Sequence, residues 1–237
     1  MKTTFWLGAL VIAGVVGGCD GASTPADAAA SHDAVGPASE DAGMSSDTAS
    51  ADDAASRDDA ASAVGCAPGL AADLCFLREE EKLARDVYLA LFAQTDIMVF
   101  DNISRSEQSH TDAVAGVLVA RSIPDPVTDD TPGVFHDPTI AGLYTSLTEA
   151  GAAGDVEALR VGATIEDLDL HDIEGMRSRT TEADALALYD TLSCGSRNHM
   201  RSFAMQLSSH GVTYEAAYIS AEALSAILAS PRETCAP

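Results

Sequence analysis

Positive charge is what this chain has least of. Across 237 residues, 13 Lys and Arg stand against 37 Asp and Glu, a formal charge of −24. So acidic a surface repels phosphate backbones and anionic lipid, which excludes a nucleic-acid binder and a protein held on a membrane by basic patches. Catalytic signatures are missing too. No Gly-rich phosphate loop, no Gly-x-Ser-x-Gly and no His-Glu-x-x-His occurs, leaving nucleotide, serine-hydrolase and zincin chemistry without their machinery. No CxxC pair is present, so a zinc ion closed by four thiolates lacks its spacing. Nor does any segment alternate apolar and polar residues as a half-buried strand must.

What is present divides into three parts. Residues 1–19, MKTTFWLGALVIAGVVGGC, join one lysine to an apolar run and small residues, the pattern of an export signal. Val16-Gly17-Gly18-Cys19 resembles the bacterial lipobox, which implies cleavage before Cys19 and lipid attachment there. The expected location is the cell envelope, with Cys19 the only tie to the membrane. Residues 20–65 are rich in Ala, Ser, Asp and Gly, with ten acids against the single Arg57 and no aromatic. Such a segment cannot bury enough apolar surface to offset chain entropy and reads as a disordered stalk. The folded domain is expected over residues 66–237. It contains Cys66, Cys75, Cys194 and Cys235, an even set suited to two disulfides in an exported chain. Three pairings are open; Cys66 with Cys75 and Cys194 with Cys235 would tie each end of the domain to its nearest long helix.

The folded part is expected to be all-α, a four-helix bundle with short extra helices. Apolar residues at helical spacing predict long helices over about 71–94, 100–121, 154–173 and 181–209, and short ones over about 139–150 and 220–228. Asp155 is the expected N-cap of the third long helix, and Thr181, with Asp184 three residues on, that of the fourth.

Each long helix carries polar groups on its apolar stripe. Leu77, Glu81, Ala84, Tyr88 and Leu91 share a face of the first, and Glu80 falls on the neighbouring stripe with Phe76, Leu83 and Val87. Glu79 is assigned to a solvated face. Glu107 and His110, one turn apart on the second helix, can bind one ion. The third helix contributes Glu166 and Asp169, and the fourth His199. An isolated Glu-x-x-His is weak, but four carboxylates and two imidazoles on inward faces form the donor inventory of a carboxylate-bridged dimetal centre. Oxygen donors with two imidazoles suit iron or manganese, with zinc an alternative, so the expected cofactor is two iron ions. The fourth helix has Ser196 where Glu-x-x-His would place its carboxylate, and Asp169 is the substitute. Arg85 and Arg201 are expected to orient carboxylates, Tyr88 and Tyr189 to be core residues able to lie near the metals, and His171 and Asp172 to mark a solvated helix end.

Four long motifs carry a family resemblance: Arg78-Glu79-Glu80-Glu81-Lys82-Leu83-Ala84-Arg85-Asp86-Val87-Tyr88, Phe100-x-Asn102-Ile103-x-x-Ser106-Glu107-x-x-His110, Gly162-Ala163-x-Ile165-Glu166, and Gly195-Ser196-Arg197-Asn198-His199-x-Arg201-x-Phe203. The first resembles the opening helix of rubrerythrins and other ferritin-like proteins. Together they are similar to the ferritin-like proteins grouped as domain of unknown function family 2202, whose pattern includes the serine at position 196. The resemblance implies a ferritin-like bundle with a metal site and names no reaction. Two functions follow as expectations: a redox or iron-handling protein, or a non-enzymatic helical module whose inward polar groups pair as Glu81 with Arg85 or Glu107 with His110.

Overall fold

A computed structural model describes residues 65–235, which form six helices and no strand. The export segment, Cys19 and the stalk lie outside the described residues. The helices are α1 Leu70–Thr95, α2 Met98–Ala120, α3 Pro138–Gly151, α4 Asp155–Arg177, α5 Ala183–Ser209 and α6 Ala221–Ala229. α1 and α2 form a hairpin across Asp96 and Ile97, in which Asp96 takes a left-handed conformation (φ 55) and donates its N–H to Phe92 O at 2.9 Å. Asp tolerates that conformation better than most residues. α4 and α5 form a second hairpin, and the two pack with α1 on α4 and α2 on α5. One long crossover joins them, carrying α3 across α1 and α4, an arrangement open to four-helix bundles. No described helix is long and apolar enough to cross a membrane.

Two helix starts differ from the sequence expectation. Asp155 is the first residue inside α4, behind Gly154 at φ 144, a conformation that suits glycine and leaves no side-chain cap. α5 begins at Ala183 behind Glu182, also uncapped by a side chain; the Glu182 and Asp184 carboxylates both pair with Arg121 of α2. Caps do form where a short helix has little else to hold it: Asp137 Oδ1 accepts Thr139 N–H at 2.7 Å ahead of Pro138, and Ser220 Oγ accepts Ala223 N–H at 3.1 Å. Such caps contribute about 1 kcal/mol each.

Every α1 residue from Leu77 to Tyr88 is buried, charged ones included. The crossover wraps the outer face of the helix, and the charges fasten it there. Arg78 pairs with Asp125 at 3.1 Å, and Arg85 with Asp86 and Asp130, each at 2.8 Å. Lys82 Nζ reaches Asp86 at 2.6 Å and Thr131 O at 3.0 Å while lying 4.4 Å from the Phe135 ring centroid. Asp86 also accepts Gly133 N–H at 3.0 Å. Glu79 is 3 % exposed rather than solvated, and its carboxylate accepts the N–H groups of His136 and Asp137. On α4, Asp167 does the same for the segment after α5, accepting Tyr214 Oη–H at 2.8 Å, Ala217 N–H at 2.6 Å and Ile219 N–H at 2.8 Å. Part-buried loop amides are thereby paired, each such hydrogen bond worth about 1 kcal/mol. Arg201 has a similar task, pairing with Glu233 at 2.8 Å and donating to Ile227 O at the end of α6. Neither arginine orients an inward carboxylate.

The disulfides are Cys66–Cys75 and Cys194–Cys235. They tie the chain before α1 to its second turn and the chain end to α5. Inside the bundle one end is aliphatic, with Leu74, Leu77, Val114, Leu118, Ile173, Leu188 and Leu192 in contact around Tyr189. The other holds the rings of Tyr88, Phe100 and Phe203, with centroids 5.3–6.1 Å apart. Between these layers, each of the four long helices contributes a polar residue.

Candidate metal centre

Glu107 of α2 stands in the middle of that polar layer. Its Oε2 lies 2.7 Å from His110 Nδ1, and its Oε1 lies 2.7 Å from His199 Nδ1. Glu81 Oε2 approaches His110 Nδ1 to 3.3 Å, and Glu166 Oε2 approaches His199 Nδ1 to 3.5 Å. The result is near-symmetric, with Glu81 and His110 on one side of Glu107 and Glu166 and His199 on the other. Despite the short separations, neither Nδ1 makes an aligned hydrogen bond, and Glu81 Oε1 and Glu107 Oε1 have no donor. Buried polar atoms that converge without directional bonding are unusual and call for an explanation. Metal ligands have that geometry, because their lone pairs aim at a common ion rather than at one another. One ligand atom each from Glu107, His110 and His199 lie within 4.8 Å of one another.

Surrounding groups hold these atoms in place. His199 Nε2 lies 3.0 Å from Ser106 Oγ, which anchors the ring with Nδ1 turned toward Glu107 and Glu166. Tyr88 Oη donates to Glu166 Oε1 at 2.6 Å. Ser196 Oγ bonds to Asp169 Oδ2, leaving Asp169 Oδ1 buried and unpartnered. Asp169 lines the same small cavity as Glu81, Glu107 and Glu166, so the layer receives a fourth carboxylate from α4 where α5 has serine. His110 needs Gly195. A Cβ at position 195 would stand 2.4 Å from His110 Cε1 and Nε2.

The electrostatics show how the layer is balanced by protons alone. Burial works to lower the His199 pKa, but the Glu107 and Glu166 carboxylates outweigh it and push it up to about 10. His110 is likewise raised well above the usual imidazole range by Glu107 and Glu81, against its burial. Burial acts to raise Glu107, yet the two imidazolium charges hold it far below the ordinary carboxylate range. Glu81 is raised to about 7, by burial first and the Glu107 charge next, with His110 opposing. Asp169 rises well above its usual range through burial and the charges of Glu81 and Glu166. Like charges confined this closely resist joint ionisation, and a divalent cation reverses the sign of the problem. The donor set, carboxylates with two imidazoles, fits a pair of such ions.

All six residues expected from the sequence therefore lie in this layer: Glu81, Glu107, His110, Glu166, Asp169 and His199. Glu80, on its stripe with core-type residues, is 4 % exposed and lines the cavity, whereas Asp172, expected at a solvated helix end, is buried because α4 continues to Arg177 instead of ending near residue 173. The signal for Glu80 was its stripe with Phe76, Leu83 and Val87, all core-type residues. Asp172 had none beyond its spacing from Asp169. Tyr88 touches the centre, whereas Tyr189 sits in the aliphatic end of the bundle. His171 is exposed, as a solvated position should be. Glu81 makes no pair with Arg85, which is committed to Asp86 and Asp130 on the opposite face of α1.

The chain is similar to Uncharacterized protein MJ0754 of Methanocaldococcus jannaschii, at 48 % identity over 157 residues that cover 66 % of this chain and 85 % of that protein. The crystal structure of hypothetical protein MJ0754 superimposes with a TM-score of 0.68 at 47 % identity, covering 68 % of this chain and 92 % of that one. A family described as "Uncharacterized protein domain (DUF2202)" matches residues 71–231, from the first turn of α1 to just beyond α6. This chain belongs to that family, DUF2202.

Proposed function

We propose that the domain is a ferritin-like dimetal protein that uses a carboxylate-bridged pair of ions, iron first with manganese or zinc as alternatives, in a redox or iron-handling role. One observation carries the reading: the two oxygens of Glu107 each lie 2.7 Å from a different histidine Nδ1, buried and without hydrogen-bond alignment. In this reading Glu107, Glu81 with His110, Glu166 with His199, and Asp169 would hold the two ions. The bundle with a single long crossover supports the ferritin-like assignment. A bound iron or manganese pair would supply electron transfer to dioxygen or peroxide, which side chains cannot. The chain's own groups supply the setting. Ser106 anchors the His199 ring at Nε2, Tyr88 and Ser196 orient Glu166 and Asp169, and the aliphatic and aromatic layers keep water out. Partners of this kind set ligand direction in metal sites.

The setting we propose is the cell envelope, tethered through Cys19. Two disulfides in the domain support an oxidising compartment. Of the pairs expected for a non-enzymatic module, Glu81 and Arg85 do not meet, while Glu107 and His110 stand 2.7 Å apart; loss of iron oxidation in the test below decides between the two readings. The test is to load the protein anaerobically with ferrous iron and add peroxide or air. Oxidation faster than that of free iron in buffer, lost in Glu107→Ala, is the expected result; equal rates in the two would contradict the redox role.

A further inference from the structure

The cavity beside the centre has two sides of opposite character. One is the carboxylate layer described above. The rest of its wall is apolar: Leu83 and Ala84 of α1, Ile165 and Leu168 of α4, and Leu147 of α3. All five are buried, and no side chain among them can donate or accept a hydrogen bond. The cavity measures about 10 Å³, room for one water-sized molecule. α3 closes it with a single side chain. Of the 14 residues of α3 only Ile140, Leu147 and Gly151 are buried, and Leu147 is the one that reaches the cavity. The crossover is fastened ahead of α3, where Glu79 accepts the His136 and Asp137 N–H groups and Asp86 that of Gly133. Along α3 itself, Thr145, Ser146 and Thr148 donate to the carbonyls of Ala141, Gly142 and Tyr144 in their own helix. A helix held by so few buried residues opens at lower free energy than the long helices beneath it.

We propose that α3 is the entry gate of the centre and that Leu147 sets what passes it: a neutral, weakly hydrated molecule of diatomic size, the class to which dioxygen belongs. A charged or strongly hydrated reactant must shed its water to cross a wall that returns no hydrogen bond, which is costly. Dioxygen has almost no hydration to lose. Peroxide must desolvate two hydroxyl groups and is disfavoured, and an organic substrate finds no room. The gate rests on the dimetal reading, because the cavity leads to the carboxylates of Glu81, Glu107, Glu166 and Asp169. Between the two oxidants named for that reading, it selects dioxygen.

The test compares the full chain with Leu147→Phe, which fills the cavity, and Leu147→Ala, which widens it. Each is loaded with ferrous iron without air, and its iron is counted by chelator assay. Binding of nitric oxide, a neutral diatomic probe, is followed by stopped-flow absorbance. Leu147→Phe should slow it roughly tenfold at unchanged iron content, because the ring must swing out of an overpacked site before a guest enters. Oxidation by dioxygen and by peroxide is then timed, and Leu147→Ala should raise the peroxide rate relative to the dioxygen rate by about the same factor. Independently of iron, metal-free crystals of Leu147→Ala under xenon pressure should hold xenon among Leu83, Ile165 and Leu168. Thermal melting checks that the variants fold, and if Leu147→Phe does not, Leu147→Ala carries both remaining readouts. Unchanged nitric oxide rates and an unchanged peroxide-to-dioxygen ratio, with iron bound, would overturn the gate and leave the centre standing. Absence of xenon from the widened cavity would also overturn the gate. A wild type that takes up no iron would overturn the dimetal reading and the gate with it.

Discussion

Gly195→Ala tests whether the geometry around His110 serves metal binding or merely packing. The new Cβ would lie 2.4 Å from two atoms of the imidazole, whereas carbon atoms rest near ~3.5 Å. The ring must therefore retreat by roughly 1 Å, well beyond the ~0.2 Å within which metal–ligand distances hold. In the metal-free protein two effects oppose each other. Alanine favours the α5 helix by about 1 kcal/mol over glycine, and overpacking costs about 1–3 kcal/mol. The net loss is about 0–2 kcal/mol. With metal the loss is larger. A displaced ligand weakens binding by roughly 10–100-fold, or about 1.4–2.7 kcal/mol, which for a domain of this size removes roughly 3–10 °C of the metal-induced rise in Tm. The assay is a pair of thermal melts, with and without Mn²⁺ or Fe²⁺. Gly116→Ala on α2 is the control, because a Cβ there meets nothing within 4 Å; it should stabilise both forms by about 1 kcal/mol. A Gly195→Ala protein with the wild-type metal-induced shift would refute the assignment of His110 as a ligand.

Glu79→Ala should destabilise the domain by about 1–3 kcal/mol by removing a carboxylate that accepts from two part-buried loop amides, without changing metal content; an unchanged urea midpoint would contradict the fastening role of Glu79. In the metal-free protein, Glu81 and His199 have folded pKa values raised to about 7 and about 10, above unfolded values of ~4.3 and ~6.5. Their stabilisation is complete below the unfolded values and is lost as pH rises through the folded ones, so metal-free Tm should fall between about pH 5 and pH 10. Metal should flatten that fall by displacing the protons, and its binding at neutral pH should release protons measurable in weak buffer. Thiol titration of denatured, unreduced protein should find Cys66, Cys75, Cys194 and Cys235 all oxidised; four free thiols would contradict both bridges.

The bundle was legible because apolar periodicity is local, and so were the inward donors. A carboxylate at position 81, 107 or 166 on an otherwise apolar stripe stands out from its own helix. Glu79, Lys82, Asp86 and Asp167 could not be placed this way. Their burial depends on segments 121–137 and 210–219, which have no periodicity to reveal where they lie. The same holds for Gly195, whose need for a missing side chain comes from His110 on another helix. Asp155 and Thr181 misled for the opposite reason. Each satisfies a local capping rule, whereas α4 starts behind Gly154 and α5 behind Glu182, which pairs with Arg121 of the neighbouring helix.

The central claim is that Glu107 bridges two ions, and anomalous scattering from crystals soaked in Fe²⁺ or Mn²⁺ locates such ions directly. The account predicts two peaks flanking the Glu107 carboxylate, one within ~2.2 Å of His110 Nδ1 and the other within ~2.2 Å of His199 Nδ1. A map with no peak in this layer, from crystals soaked well above the concentration that raises Tm, would contradict it.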